Sequence, residues 1–143
     1  MIQFFNRRSE FQKIVSRIGF IKDQKGILNR YKREKRNWEN HLTNCKNYIL
    51  QASQNKSKHK IAILGSGWLL DVPIDELTGT FSQVHLYDIF HPEPVRKRCR
   101  CYKNVVFVEQ DVLSPLLMTL YNHRDCQANH FIDKIRAQDY KNL

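Results

Sequence analysis

The residues that decide the fold are Lys60-Ile61-Ala62-Ile63-Leu64-Gly65-Ser66-Gly67. A short, nearly continuous apolar run closed by glycine predicts a strand buried on both faces of a parallel sheet, followed by a tight turn. The pattern then recurs twice. Gln83 to Tyr87 reads as a second strand stopping at Asp88, and Val105 to Glu109 as a third stopping at Asp111. Between the first two, Asp71 to Phe81 reads as a helix. Pro73 sits near its start, where a missing N–H costs little, and Val72, Ile74, Leu77 and Phe81 are its apolar positions. Glu93 to Tyr102 reads as a short basic helix. Strands alternating with helices in this order imply parallel strands joined by right-handed crossovers, the first half of a doubly wound sheet.

Upstream of this unit the period is helical from Ser9 to Ala52, with a break expected around Gly19 to Gly26. Leu28, Tyr31, Trp38, Leu42, Cys45, Ile49 and Ala52 recur at intervals that put them on one helical stripe. Arg30, Lys32, Arg33, Arg36 and Lys46 fall on the opposite face. Trp38 and Tyr48 read as packing residues. Gln54 to Lys58 is polar and reads as a linker, so residues 1–58 form a basic helical segment ahead of a domain over 59–143. Residues 1–60 hold 15 Lys and Arg against 4 Asp and Glu, whereas the remainder holds 9 against 10. The entire surplus behind the net charge of +10 therefore lies in the helical segment. Such asymmetry makes nucleic acid or an acidic protein a candidate partner, against the plainer reading of a solvated helix face.

At 41% hydrophobic and 27% charged residues the 143-residue chain has the composition of a globular domain. No apolar run approaches the roughly 20 residues needed to cross a bilayer. The N-terminus also lacks the charged-then-apolar order of a secretory signal, so a cytoplasmic location is expected. In that setting Cys45, Cys99, Cys101 and Cys126 read as free thiols. A zinc site built from Cys99, Cys101, Cys126 and His123 or His130 would leave one residue between the first two ligands, short of the usual spacing of about two to four. No metal is expected.

In open parallel sheets ligands bind outside the carboxyl ends of the strands. Those ends carry Gly65-Ser66-Gly67, Asp88 and Asp111. Glycines let a ligand approach the backbone closely, and the following helix is expected to aim its N–H groups at the same place. Asp88, 21 residues after Gly67, is positioned to accept hydrogen bonds from a ribose diol. Asp111 at the next strand end suits an adenine amino group. Individually each feature has a plain reading as a turn or a helix cap. Together they describe an adenosine-shaped slot.

Ile61 to Gly67, Val84 to Asp88 and Val106 to Val112 resemble the first three cofactor-binding motifs of class I S-adenosylmethionine-dependent methyltransferases. Leu64 to Pro73 with Asp88-Ile89-Phe90-His91-Pro92 is similar to a bacterial group of methyltransferase-like proteins in which a basic helical segment precedes the sheet. The resemblance spans roughly residues 25–113. It implies that the Gly65, Ser66 and Gly67 backbone faces the methionine part of the cofactor, Asp88 its ribose hydroxyls, and Asp111 with the Val112 N–H its adenine. In this sequence Ile63 stands where the family commonly has an acidic residue, and Leu69 stands at the third glycine of the usual pattern. A dinucleotide motif would instead need glycine at Leu70.

After Asp111 the sequence offers a helix over Leu113 to Tyr121 and a polar end, with no fourth strand. The expectation is a truncated, Rossmann-like α/β domain that retains the cofactor-binding half of a methyltransferase-like protein, with its activity left open. His91 and Trp68 lie close enough in sequence to border the slot, though a turn role for His91 and a packing role for Trp68 weigh against this. The competing expectation is a non-enzymatic module using the basic helix to contact nucleic acid or an acidic partner. An uncovered sheet edge and face would favour self-association.

Overall fold

A computed structural model describes residues 13, 15–17 and 19–110, all within the first of two compact units, Met1–Val112 and Leu113–Leu143. Asp111, Val112, the expected helix over 113–121, and Cys126, His123 and His130 lie outside the described residues, as does the expected helix start at Ser9.

The described elements follow the order α1 (Phe20–Arg33), α2 (Lys35–Ser53), β1 (Lys60–Leu64), α3 (Ile74–Thr80), β2 (Gln83–Asp88), α4 (Glu93–Cys99) and β3 (Val105–Glu109). The class is α/β. The three strands form one all-parallel sheet in the order β1-β2-β3, with Ile61 opposite Val84 and Ile63 opposite Leu86. Val84 and Leu86 in turn pair with Val105 and Phe107. Residues in register share a face, so these side chains form one apolar surface. Val84 and Leu86 on the central strand are fully buried there, against Ile74 and Leu77 of α3 and Val95 and Cys99 of α4.

The other face departs from the sequence expectation. β1 alternates rather than being buried on both sides: Ile61 and Ile63 are half-buried, whereas Lys60, Ala62 and Leu64 are exposed. Leu64 is 66% and Val106 40% exposed, and the His85 and Tyr87 rings stack beside them with centroids 6.2 Å apart. The cause is topological. Successive right-handed crossovers that step the same way across a sheet deliver their helices to the same side.

Helix ends also differ from the sequence reading. α3 starts at Ile74 rather than Asp71 because the residue before a proline is pushed out of helical geometry, which holds Val72 in the approach loop. All four of its expected apolar positions, Val72, Ile74, Leu77 and Phe81, are nevertheless buried. α4 stops at Cys99, short of Tyr102. The Tyr102 hydroxyl instead donates to the Asp75 carboxylate on α3, an interaction that pushes this phenol up to about 12.

The expected break falls at Gly19, a turn between helical residues 15–17 and α1, and a second break, at Glu34, separates α1 from α2. Gly19 adopts a left-handed φ of 84° as the cap of α1, but the helix continues through Gly26 at a propensity cost of about 1 kcal/mol. At Glu34 the backbone leaves helical geometry, and its carboxylate takes a 2.7 Å ion pair from Arg33. The single expected stripe is thus split. Leu28 and Tyr31 on α1 and Trp38, Leu42, Cys45 and Ile49 on α2 are half-buried, with Tyr31 and Trp38 in contact across the junction at 6.1 Å between ring centroids. Ala52 is exposed, Lys46 is half-buried and Tyr48 is 73% exposed rather than packed. Ile49 and Leu50 meet the core cluster and seat α2 on the sheet unit. Among the described residues no helix is long and apolar enough to cross a membrane.

The one-sided core predicts unequal costs for two leucines. Leu77→Ala, at a site with no exposure, is expected to lower stability by about 2–5 kcal/mol in urea unfolding, whereas Leu64→Ala on the open face should stay within about 0.5 kcal/mol.

Candidate functional site at the strand ends

The chain leaves β1 through three left-handed residues at alternate positions: Gly65 (φ 69°), Gly67 (φ 48°) and Leu69 (φ 54°). Glycine takes this conformation freely, whereas a leucine is strained in it. Leu69 is held by burial, with 2% exposure, and by its N–H bond to the Ser66 carbonyl at 2.9 Å. The loop therefore has a left-handed residue at each position of a glycine-x-glycine-x-glycine pattern, although the third is not glycine.

The end of β2 fixes this loop. The Gly65 and Ser66 N–H groups both donate to the Tyr87 carbonyl, at 2.9 and 3.2 Å. The Gly67 N–H donates to Asp88 Oδ2 at 2.7 Å, and the Phe90 N–H reaches Oδ1 at 3.4 Å. Asp88 is only 6% exposed. Hydrogen bonds to a carboxylate are among the stronger ones a backbone amide makes, and each carboxylate oxygen keeps a further lone pair for a ligand. Gly65, Ser66, Gly67 and Asp88 are thus brought together in space.

Ser66 is buried, and its hydroxyl turns inward to His91 Nδ1 at 3.4 Å. His91, 1% exposed, reaches the Val108 carbonyl through Nε2 at 3.3 Å and packs edge-on against Phe107. A carbonyl only accepts, so Nε2 carries the proton and Nδ1 accepts from Ser66. Burial holds the imidazole below its ordinary value of 6.5, which keeps it neutral. His91 therefore ties the β1 loop to β3 instead of presenting a reactive group. Glu109 at the end of β3 is bound by Arg96, whose guanidinium also lies over the Phe107 ring.

The expected helix N-terminus is not at the loop. α3 begins seven positions beyond Gly67, and the N–H groups of residues 65, 66, 67 and 69 are all spent on internal acceptors.

The loop's outer side borders a cleft of about 250 Å³ whose other wall is α1 and α2. Gln24, Trp38 and His41 line it from the helices, and Gly67, Trp68 and Asp71 from the loop. The Trp68 indole N–H donates to the Gln24 carbonyl at 2.7 Å and pins α1 to the loop. Trp68 thus both packs and borders the cleft. Gln24 and His41 are lining residues that sequence reasoning missed. A contact spanning 44 positions leaves no periodic signal. Among the described residues no group of three or more His, Cys, Asp or Glu is assembled to hold a metal ion, and Cys45, Cys99 and Cys101 are free thiols.

Comparison with protein-family models, with curated proteins and with solved structures returned no match.

The buried His91 predicts a pH-dependent stability. Its folded value is depressed, so the unfolded chain binds the extra proton first, and stability is full above 6.5 and falls as the pH drops below it. Melting temperature measured across this range should decline on acidification in the wild type, and the decline should be shallower in His91→Gln.

Proposed function

We propose that the carboxyl end of this sheet is the cofactor site of a Rossmann-like domain, that the cofactor is S-adenosylmethionine, and that the chain carries the cofactor-binding half of a methyltransferase-like protein. The observation that carries this reading is the bond from Gly67 N–H to Asp88. It joins a loop with left-handed residues at 65, 67 and 69 to an acidic residue at the neighbouring strand end, the arrangement suited to a nucleoside. The free thiols favour a cytoplasmic setting.

The same geometry favours a nucleoside over a dinucleotide. A pyrophosphate needs unspent backbone N–H groups and an adjoining helix N-terminus. Here the loop N–H groups at 65, 66, 67 and 69 are bonded internally, and the first helix lies seven positions further on. When bound, the cofactor would supply an electrophilic methyl group. The protein's contribution to such a transfer is alignment, which requires no acid or base from the chain. Gly65 and Gly67 would admit the ligand close to the backbone, and the remaining lone pairs of Asp88 would accept from the ribose hydroxyls. Asp111 and Val112 complete the proposal on the adenine side.

A second reading is favoured by the α1 to α2 junction, where Arg30, Lys32, Arg33, Lys35 and Arg36 are all exposed. These residues would contact nucleic acid or an acidic protein, and such binding should weaken steeply between low and moderate salt as counterions are released. The open sheet face around Leu64 and Val106 would support self-association.

Isothermal titration with S-adenosylmethionine and S-adenosylhomocysteine tests the first reading. Saturable binding is expected, weakened roughly tenfold or more in an Asp88→Asn variant that still melts cooperatively. A folded wild-type chain that binds neither compound would sink it.

A further inference from the structure

We infer that the cleft between the helical pair and the glycine loop is a binding site for a protonated amine, held by Gln24, Asp71 and the two indole rings. The inference rests on reading the glycine loop as part of a ligand site and names the chemistry that its outer side accepts.

The decisive atom is Gln24 Oε1. It is buried and has no hydrogen-bond partner among the described residues. It also lies over the loop backbone, 3.9 Å from where a Cβ on Gly67 would be. A buried carbonyl oxygen without a donor is costly, and buried polar atoms nearly always find one. The Gly67 N–H is spent on Asp88, and the Trp68 indole N–H on the carbonyl of Gln24 itself. A ligand N–H would supply the missing donor.

The rest of the lining has the same bias. Asp71 contributes an exposed carboxylate. With its N–H edge occupied, Trp68 offers a ligand its ring surface, and Trp38 adds a second indole. Aromatic faces attract cations, tryptophan most strongly. Among the described residues no lysine or arginine lines the cleft, although the first 60 residues carry 15 of them. A site for phosphate or carboxylate would draw on that supply. This cleft offers acceptors and π-surface, the complement of an ammonium group.

Trp38 and Trp68 are the chain's only tryptophans, so intrinsic fluorescence reports on this cleft directly. The test is titration with n-butylammonium chloride at matched ionic strength and about pH 8, where the amine is protonated. Sodium butyrate and inorganic phosphate serve as controls. Expected is a saturable change with butylammonium alone, weakened roughly tenfold in Gln24→Leu and Asp71→Asn and retained or strengthened in Gln24→Glu. Gln24→Glu fixes an acceptor where an amide can present either end. Variants are compared only where their circular dichroism matches the wild type. A fluorescence response to butyrate or phosphate in place of butylammonium would overturn the inference, as would no response to butylammonium by a folded wild-type chain.

Repeating the titration in the presence of S-adenosylmethionine separates the sources of the amine. Competition assigns the site to the amino group of the cofactor, and simultaneous binding assigns it to an amine acceptor. Butylammonium binding without any binding of S-adenosylmethionine would sink the cofactor reading and leave this one standing. Conversely, S-adenosylmethionine binding that depends on Asp88 while butylammonium is silent would do the opposite.

Discussion

The described site depends on one hydrogen bond, from the Gly67 amide to the Asp88 carboxylate. It forms because β1 and β2 run parallel with Leu64 opposite Tyr87, which brings the loop leaving one strand against the last residue of the other. The Tyr87 carbonyl collects the two preceding amides of the same loop. The register is in turn fixed by burial. Val84 and Leu86 point to the covered face with no exposure, and a slip of one residue would send them to the open face and rotate Asp88 away from the loop. Core packing and site geometry are therefore one constraint. His91 extends it to β3 by bridging Ser66 and the Val108 carbonyl, so all three strand ends are tied before any ligand arrives.

Leu69 shows which of two opposing effects prevails in this loop. A left-handed leucine costs about 1–2 kcal/mol, whereas burying its side chain contributes about 2 kcal/mol or slightly more. With 2% exposure the side chain realises nearly all of that gain, and its N–H closes a turn onto Ser66. Packing thus offsets the strain, and a backbone shape normally associated with glycine persists without one. A sequence pattern that demands glycine at this position misses the conformation, because the pattern records the easy way of reaching it and not the conformation itself.

The same distinction explains what was legible in the sequence. All three strands were readable nearly to the residue, since each is a short apolar run stopped by a glycine or next to an acidic residue. The meeting of Gly65, Ser66, Gly67 and Asp88 followed from topology alone. Burial of β1 on both faces was over-read because Ala62 and Leu64 are apolar by type yet exposed by placement, and residue type does not report which side the crossover helices take. The joint at Glu34 carries no marker, as Arg33, Lys35 and Arg36 all favour helix. The second wall of the cleft depends on Trp68 reaching back 44 positions to Gln24, a contact made by tertiary packing and invisible to any local period.

Charge on the helical pair is sorted by position. Arg30, Lys32, Arg33, Lys35 and Arg36 crowd the exposed junction, while the surface that α1 and α2 turn toward the loop presents an amide, an indole and an imidazole. The surplus charge would by itself repel a cation, but fields from exposed groups are screened beyond about 10 Å at ordinary ionic strength, whereas groups in direct contact are not. Contact chemistry therefore governs the cleft, and the net charge governs what approaches the outer surface. Under the two proposals, one pair of helices would serve two opposite chemistries, an anionic partner outside and an ammonium group within. The +10 of the whole chain describes only the first.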